Sequence, residues 1–588
     1  MRVARHYTSG LSSPFQGVGF RKLPYFHGDG AASRPGASRH ADPIFEVPES
    51  WPDDVCATFF RRCAAHAGVP SGKQSARLKT RDDDVPAWLW PPRAVRLGPS
   101  NAGATGSETS ARETIDRLAG DLTWWGWKTG YFDLEADAAA FFDELRYMLC
   151  HRLAAPEMSL WSNAGRHWAH GAPWDDAPMF VMDYQSARVV KADARHAANG
   201  SGDPWSVAVF DLRGFLGEDG GLDAKSLAHS VRLWTIALDI SIHMTARGKP
   251  QEAESDGSLR PIALEPANLS SLLLAMGLAY DSAAGRTVCA GAMALISGAA
   301  HGASAEIAGE LGAAPGPTRR VADPMIHIAD CHRAARELPD GAAAIAARQC
   351  WDRTLADGRR HGLRNLRISV TPSRRDACRL LDTEAGGIEP GFALVKFASS
   401  HRDGANWGGL EKHMNPHILS ALVRLGYDPA RIEDITRYVS GRGTLETAPG
   451  INLHMLRLAG FDADAIRAAE AASCVVTDIR HALGADDHKT QKFSRDQIDQ
   501  ASRYCCGAMT FDGAPHILPE HLPVFDRPRD FDESRGRMRR SARPFLDDPN
   551  DAKIPSQAPA GIRHGRFIVY EGGGAMDEPK RDLPANSR

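Results

Sequence analysis

Apolar residues recur at helical spacing through most of the chain, and tracts of small and polar residues cut that pattern into units. Residues 51–68 carry it with Asp53 and Asp54 in the first turn and Gly68 and Pro70 at the end, which predicts an amphipathic helix. Residues 110–153 are again helical, with an aromatic break at 122–132 and a long amphipathic stretch at 135–153 ahead of Pro156. At 185–203 the residues become small and polar, and the apolar pattern resumes as a short strand at 207–212. Helical periods then run over 223–246, 268–276, 283–311 and 326–358, with buried strands expected at 366–370 and 392–397. Further helices at 416–425, 429–439, 462–472 and 494–504 start at Pro or cap-forming residues, and the charged, Pro-rich stretch after Asp526 is expected to be loosely ordered.

These elements predict an α-rich α/β protein in four parts: a helical region at 1–184, a polar junction at 185–206, a mixed region at 207–530 and a tail at 531–588. A chain of 588 residues is long enough for several cores. Lys and Arg total 70 against 73 Asp and Glu, which removes any whole-chain electrostatic case for nucleic acid or a membrane surface. The longest apolar stretches, such as 291–300, are too short to cross a bilayer, and the basic N-terminus has no apolar segment after it, so a cytoplasmic protein is expected. The ten cysteines are scattered with no C-x-x-C pair, the pattern of small buried residues in a reducing compartment. His413 and His417 have i,i+4 spacing, but Pro416 between them opposes a regular helix and no third ligand is clustered with them, so no metal site is expected.

Several stretches resemble, in order, the adenosylcobalamin-dependent (class II) ribonucleotide reductases. In the first third these are 13–22 (SPFQGVGFRK), 44–51 (IFEVPESW), 124–132 (WWGWKTGYF), 142–148 (FDELRYM) and 161–171 (WSNAGRHWAHG). Later come 232–241 (RLWTIALDIS), 280–286 (YDSAAGR), 387–397 (GIEPGFALVKF), 443–452 (GTLETAPGIN) and 513–526 (GAPHILPEHLPVFD). The resemblance implies a helical N-terminal region followed by part of a reductase-type α/β barrel, with adenosylcobalamin as the family's cofactor and reduction of ribonucleotides to deoxyribonucleotides as its reaction.

That reaction needs a thiyl radical, a carboxylate and a reducing cysteine pair. In the family the radical cysteine and its acid lie in an N-P-C-S-E motif, and one reducing cysteine lies in an A-C-F strand. Neither motif occurs here, and no cysteine lies between Cys150 and Cys289. The family's H-L-P-V-F-D is followed by a cysteine-containing segment, whereas here Asp526 is followed by Arg527, Pro528 and Arg529, and no cysteine follows Cys506. The chain therefore looks like an internally deleted, C-terminally shortened member without assignable catalytic residues. A closed barrel is not expected from it, and the missing strands should leave an exposed sheet edge.

Remnants of a binding site are expected at seven positions. The family's phosphate loop, approximately A-P-T-G-T, is similar to 371–375, where Pro372, Ser373, Arg374 and Arg375 either hold a phosphate or form a solvated loop. The family's N-S-P-x-W-x-N is similar to 158–163, where Ser159 and Asn163 are retained; Ser159 either faces a nucleotide or caps a helix-loop junction. Glu389 either lines the site or bonds to backbone. The functional expectation is a pseudoenzyme with a binding or regulatory role whose partner is a full-length reductase or a second copy, with nucleotides as ligands. The alternative is an active adenosylcobalamin-dependent ribonucleoside-diphosphate reductase supplying deoxyribonucleotides for DNA synthesis or repair, acting alone or completed by a partner chain.

Overall fold

The structure, a computed structural model, describes residues 1–24, 44–66, 69–70, 84–90, 105–170, 180–183, 188–191, 206–245, 259–314, 323–370, 377–391, 393–399, 410–484, 488–526 and 531–546. At its centre one sheet contains β1 (Ala154–Pro156), β2 (Val207–Asp211), β3 (Ile262–Ala267) and β4 (Ile368–Ser369), in the order β4-β3-β2-β1. The last three strands are parallel, with Val207 opposite Ala263 and Ile262 opposite Ile368, while β1 is antiparallel with Ala154 opposite Phe210. All of β2 and all but one residue of β3 are buried, because helices cover both faces, so these strands show no alternation. The outer strands are covered as well: Ala154 and Ala155 are 1% and 3% exposed and Ile368 is 1% exposed. The open edge expected from missing strands is therefore not present at these residues.

The helices around the sheet are α1 (Ala111–Lys128), α2 (Glu135–Cys150), α3 (Ala224–Thr245), α4 (Ala283–Leu311) and α5 (Ala342–His361). The Ser110 side chain caps α1 by accepting from Arg112 N–H, and the helix continues through the tryptophans at 124 and 125. The expected aromatic break is thus a helix end, because these residues pack inward; a Cβ on Gly126 would stand 2.7 Å from Phe132 Cε2. By length and composition α4 is apolar enough to cross a membrane, but 89% of its apolar window is buried, and it runs between α3 and α5 as a core helix. The seam with α5 is close: the Trp351 indole N–H donates to Ala294 O at 2.9 Å, and a Cβ on Gly298 would meet that ring nitrogen at 2.9 Å.

Other segments depart from the sequence expectation. Residues 326–358 form two helices, Pro324–Arg336 and α5, separated by a turn containing Pro339 and Gly341. Strand 392–397 is displaced to Val395–Ser399, paired with Leu410–Met414. Within the polar junction, Arg188–Lys191 pairs with Phe180–Asp183 as a hairpin. The start of the tail is ordered: the helix Phe531–Ala542 buries Met538 and Ala542, and Arg537 Nε donates to Asp281 Oδ2 at 2.9 Å. Helices between Leu445 and Cys506 bury a second core, and residues from Met414 to Val439 join Phe511 and Phe525 in a third.

Leu153 N–H reaches Met148 O at 2.9 Å and Arg152 N–H reaches Leu149 O at 3.2 Å, the two bonds of a Schellman motif. The residue at its left-handed position is Arg152, with φ 53°, where glycine is the residue of lowest cost by roughly 1 kcal/mol.

Candidate functional site

In parallel α/β sheets, side chains that bind and react collect where the strands end at their carboxyl edge. Here that edge carries a continuous polar network. Asp211, the last residue of β2, accepts from Asn268 Nδ2 at 2.9 Å, and Arg213 in the following turn grips it through Nε (2.9 Å to Oδ1) and Nη2 (2.7 Å to Oδ2). Arg213 Nη2 also reaches the carbonyls of Leu381 and Asp382 at 2.8 and 3.1 Å, and its Nη1 lies 2.8 Å from His417 Nε2. Burial, then the Arg213 charge, pushes His417 below its ordinary pKa.

Asn415 caps the helix Pro416–Arg424, accepting from His417 N–H at 3.0 Å, and gives its Nδ2 to Glu384 at 3.1 Å. Glu384 also accepts from Ser271 Oγ at 3.1 Å and pairs with Lys396 Nζ at 2.6 Å. Burial alone would raise its pKa, but Lys396 beside it and the hydrogen bonds hold the carboxyl below its ordinary range. Asp382, in a left-handed conformation with φ 50°, turns its carboxylate to Lys396 at 3.7 Å, and burial together with Asp382 raises the pKa of Asp54.

Arg152 lies before β1, level with this edge because β1 is antiparallel. Its Nη1 is shielded from solvent and makes no hydrogen bond, and burial lowers the guanidinium's pKa. It joins Trp51, Phe59, Trp161 and Leu380 in lining a narrow cavity of about 10 Å³, the size of a single water molecule. The network contains carboxylates, guanidinium, ammonium and imidazole groups in mutual pairing, a set that fixes positions and binds charge. The thiols on neighbouring helices, Cys56 and Cys378, are 0% and 7% exposed.

Of the sequence-predicted residues, the structure describes the side chains of Ser159 and Glu389. Ser159 is 3% exposed in the helix Met158–Asn163, which follows the opposite end of β1, where Glu157 N–H donates to Val207 O at 3.1 Å. Asn163 ends that helix, and its side chain lies outside the described residues, as do Pro372, Ser373, Arg374 and Arg375. Glu389 is half-buried with Arg535 at 3.8 Å. His413 sits in the strand Leu410–Met414 opposite Lys396, apart from His417, and no cluster of three metal-ligating side chains occurs among the described residues.

At the amino edge of the sheet the polar groups form a structural pin. Arg260, ahead of β3, donates to Asp239 at 2.7 Å, and Asn365, ahead of β4, donates to the same carboxylate at 2.8 Å. The Tyr131 hydroxyl also donates to Asp239.

Comparison with known proteins agrees with this architecture. A family model described as the ribonucleotide reductase barrel domain matches residues 206–461, and one described as class II vitamin B12-dependent ribonucleotide reductase matches residues 39–152. The vitamin B12-dependent ribonucleotide reductase of Bradyrhizobium diazoefficiens is 32% identical over 426 residues, covering 62% of this chain and 34% of that protein. Its counterpart in Agrobacterium fabrum is 31% identical over 429 residues, covering 62% and 33%, and that of Rhodopirellula baltica is 33% identical over 250 residues, covering 42% and 24%. The chain spans about a third of the length of the first two of these relatives. With both family models matched in sequence order and the parallel strands β2 to β4 and the helices α1 to α5 built from the matched segments, the chain belongs to the class II, vitamin B12-dependent ribonucleotide reductase family.

Proposed function

We propose that this chain is a catalytically silent member of the family that acts by binding, with nucleotides as ligands and a full-length reductase or a second copy as partner. The carboxyl edge carries this reading: the position where the barrel's chemistry is sought holds a closed set of ion pairs, Asp211–Arg213 and Glu384–Lys396 joined through His417 and Asn415. Adenosylcobalamin, implied by the family, supplies when bound the radical that a cysteine thiol must accept. The donor set does not fit that task. No cysteine lies on β1 to β4 or anywhere between Cys150 and Cys289, and the Cys56 thiol is turned to the Trp51 carbonyl at 3.6 Å.

Because Ala154, Ala155 and Ile368 are buried, association through a strand added at the ends of the four-stranded sheet is not the favoured mode. The test is a titration of the whole chain with adenosylcobalamin and ribonucleotides, followed by product analysis under anaerobic, dithiol-containing conditions. Nucleotide binding without deoxyribonucleotide is the expected result, and turnover with either ligand set sinks the reading. Sedimentation with and without a full-length reductase from the same cell tests the partner: a species heavier than either chain supports it, and independent sedimentation of a monomer removes it.

A further inference from the structure

We propose that the groove between the helices Pro429–Ser440 and Arg495–Cys506 binds a nucleoside diphosphate, with arginines taking the phosphates and tyrosine the base. The inference rests on the reading of the chain as a nucleotide-binding protein and gives that reading a site lined by none of the carboxyl-edge residues. The groove has a volume of about 510 Å³, inside the range of roughly 300–1,000 Å³ of small-molecule sites. Each helix turns one face to it at i, i+3, i+4 spacing: Asp434, Arg437 and Tyr438 from the first, Gln500, Arg503 and Tyr504 from the second. Arg442, just after the first helix, adds a third guanidinium.

Two of the three guanidiniums lack an anion. Arg437 pairs with Glu433 and with Asp434, the latter at 3.7 Å, whereas the guanidiniums of Arg442 and Arg503 have no carboxylate or other acceptor among the described residues. In a chain with 70 basic and 73 acidic side chains, two unmatched positive charges on one groove make a local field that favours an anion. The frame that carries them is set before a ligand arrives. Arg442 lies over the Tyr504 ring at 5.1 Å and its N–H donates to Tyr504 O at 2.9 Å, while the Tyr504 hydroxyl lies 2.6 Å from Thr447 Oγ1. The two helices end against each other at Gly441 and Gly507, with φ 80° and 83°, where a Cβ on either would stand 2.2 Å from a carbonyl oxygen of the facing helix. Guanidiniums mounted on such a frame lose little freedom on binding, and their planar forks match phosphate oxygens.

The rest of the ligand follows from the space that phosphate leaves. Phosphate alone would occupy a small part of the groove, and the remainder offers the half-buried Tyr438 ring, Pro449, Pro515 and the Gln500 amide, which has no hydrogen-bond partner among the described residues. A flat ring with polar edges meets these groups together: its face rests on tyrosine and proline, and its edge bonds the amide. A carboxylate-rich peptide would match the charge and leave the aromatic part unused.

The experiment uses the full chain, with calorimetry and thermal unfolding at constant ionic strength, and adenosine diphosphate, sodium pyrophosphate, adenosine and hexaglutamate as probes. Adenosine diphosphate is expected to bind and raise Tm, with each of the other three at least tenfold weaker. Combining Arg442→Gln with Arg503→Gln should weaken it at least tenfold and leave the ligand-free Tm almost unchanged, since neither guanidinium has an ion pair to lose. A control pair outside the groove, Arg467→Gln with Arg495→Gln, at residues 79% and 89% exposed, removes the same charge and should leave binding unchanged. The proposal is overturned if adenosine diphosphate does not bind, if pyrophosphate or hexaglutamate binds as tightly, or if the control pair loses as much affinity as the groove pair. Binding within twofold of normal in the groove pair also overturns it, and leaves nucleotides in the functional reading with another site. Deoxyribonucleotide formation would sink the silent-member reading and leave the groove result standing.

Discussion

Arg213 Nη1 lies 2.8 Å from His417 Nε2, and because a guanidinium only donates, the imidazole accepts there and is neutral with its proton on Nδ1. This bond ties the end of β2 to a helix about two hundred residues later in the chain, and its sign fixes a pH response. The folded protein holds His417 below its unfolded pKa of 6.5, so as pH falls past that value the unfolded chain takes up a proton before the folded one does. Stability from this group is complete above about pH 6.5 and is lost as pH drops toward the lowered folded value. His417→Gln, which keeps an acceptor, should flatten the corresponding part of a Tm-against-pH curve.

The buried pair of Glu108 and Arg117, 2.7 Å apart with side chains 0% and 2% exposed, joins α1 to the carbonyls of Cys63, Trp161 and Ala164. Burial opposes ionisation of Glu108, but Arg117 and the hydrogen bonds bring its pKa down to about 2 from an unfolded 4.5. Its contribution is present above pH 4.5 and disappears as pH falls toward 2. Glu108→Gln at neutral pH should cost about 3–5 kcal/mol in urea unfolding, because Arg117 is left buried without its counter-charge.

Asp121 behaves in the opposite sense. Burial raises its pKa to about 7; Oδ2 accepts from Gly165 N–H at 2.6 Å, while Oδ1 has no hydrogen-bond partner. A raised carboxyl pKa makes the unfolded chain the better acid, so stability declines as pH rises from 3.8 to 7. Asp121→Asn preserves the acceptor and removes the charge. It should stabilise the protein above pH 7, by at most about 4 kcal/mol from a shift of roughly three pKa units, with no gain below pH 4.

Thiol chemistry gives an independent check. Burial pushes Cys150, Cys289 and Cys505 up to about 12 and Cys506 to about 11, and eight of the ten cysteines are buried, leaving Cys350 and Cys474 partly accessible. Labelling with an aromatic disulfide at pH 8 should be confined to Cys474 and, more slowly, Cys350 until the protein is unfolded. Rapid labelling of another cysteine in the native protein would reveal an activated thiol and count against the silent reading.

Much of the helical framework was legible because it is written in local pattern. The stretch that forms α4 is rich in Ala, Gly and Leu, and its ends coincide with the expected 283–311. The tryptophans at 124 and 125 read as a break because aromatic residues and Gly126 weaken helix propensity, which packing onto Phe132 and Ile240 overrides. Strand β3 was missed because Glu265 and Pro266 interrupt a run that, in a sheet covered on both faces, does not alternate. The tail helix was missed because its arginines mask a narrow buried stripe of Met538 and Ala542, and Arg537 finds its partner only in distant Asp281.

The carboxyl-edge network left no signature in spacing. Asp211, Asn268, Glu384, Lys396 and His417 come from five separate segments, and only the tertiary fold brings them together. The family resemblance directed attention to Ser159, which follows the opposite end of β1, and to Glu389, which faces Arg535. Arg152 gave no sequence signal because an arginine after a helix looks like an ordinary surface residue until its φ and its unmatched Nη1 are seen.

The most direct test of a catalytically silent reductase scaffold is anaerobic product formation by the purified chain with adenosylcobalamin, a ribonucleoside diphosphate or triphosphate, and a dithiol. The account predicts no deoxyribonucleotide above the protein-free background. Deoxyribonucleotide that forms with the intact chain and vanishes when Cys378 or Cys56 is changed to serine would contradict it.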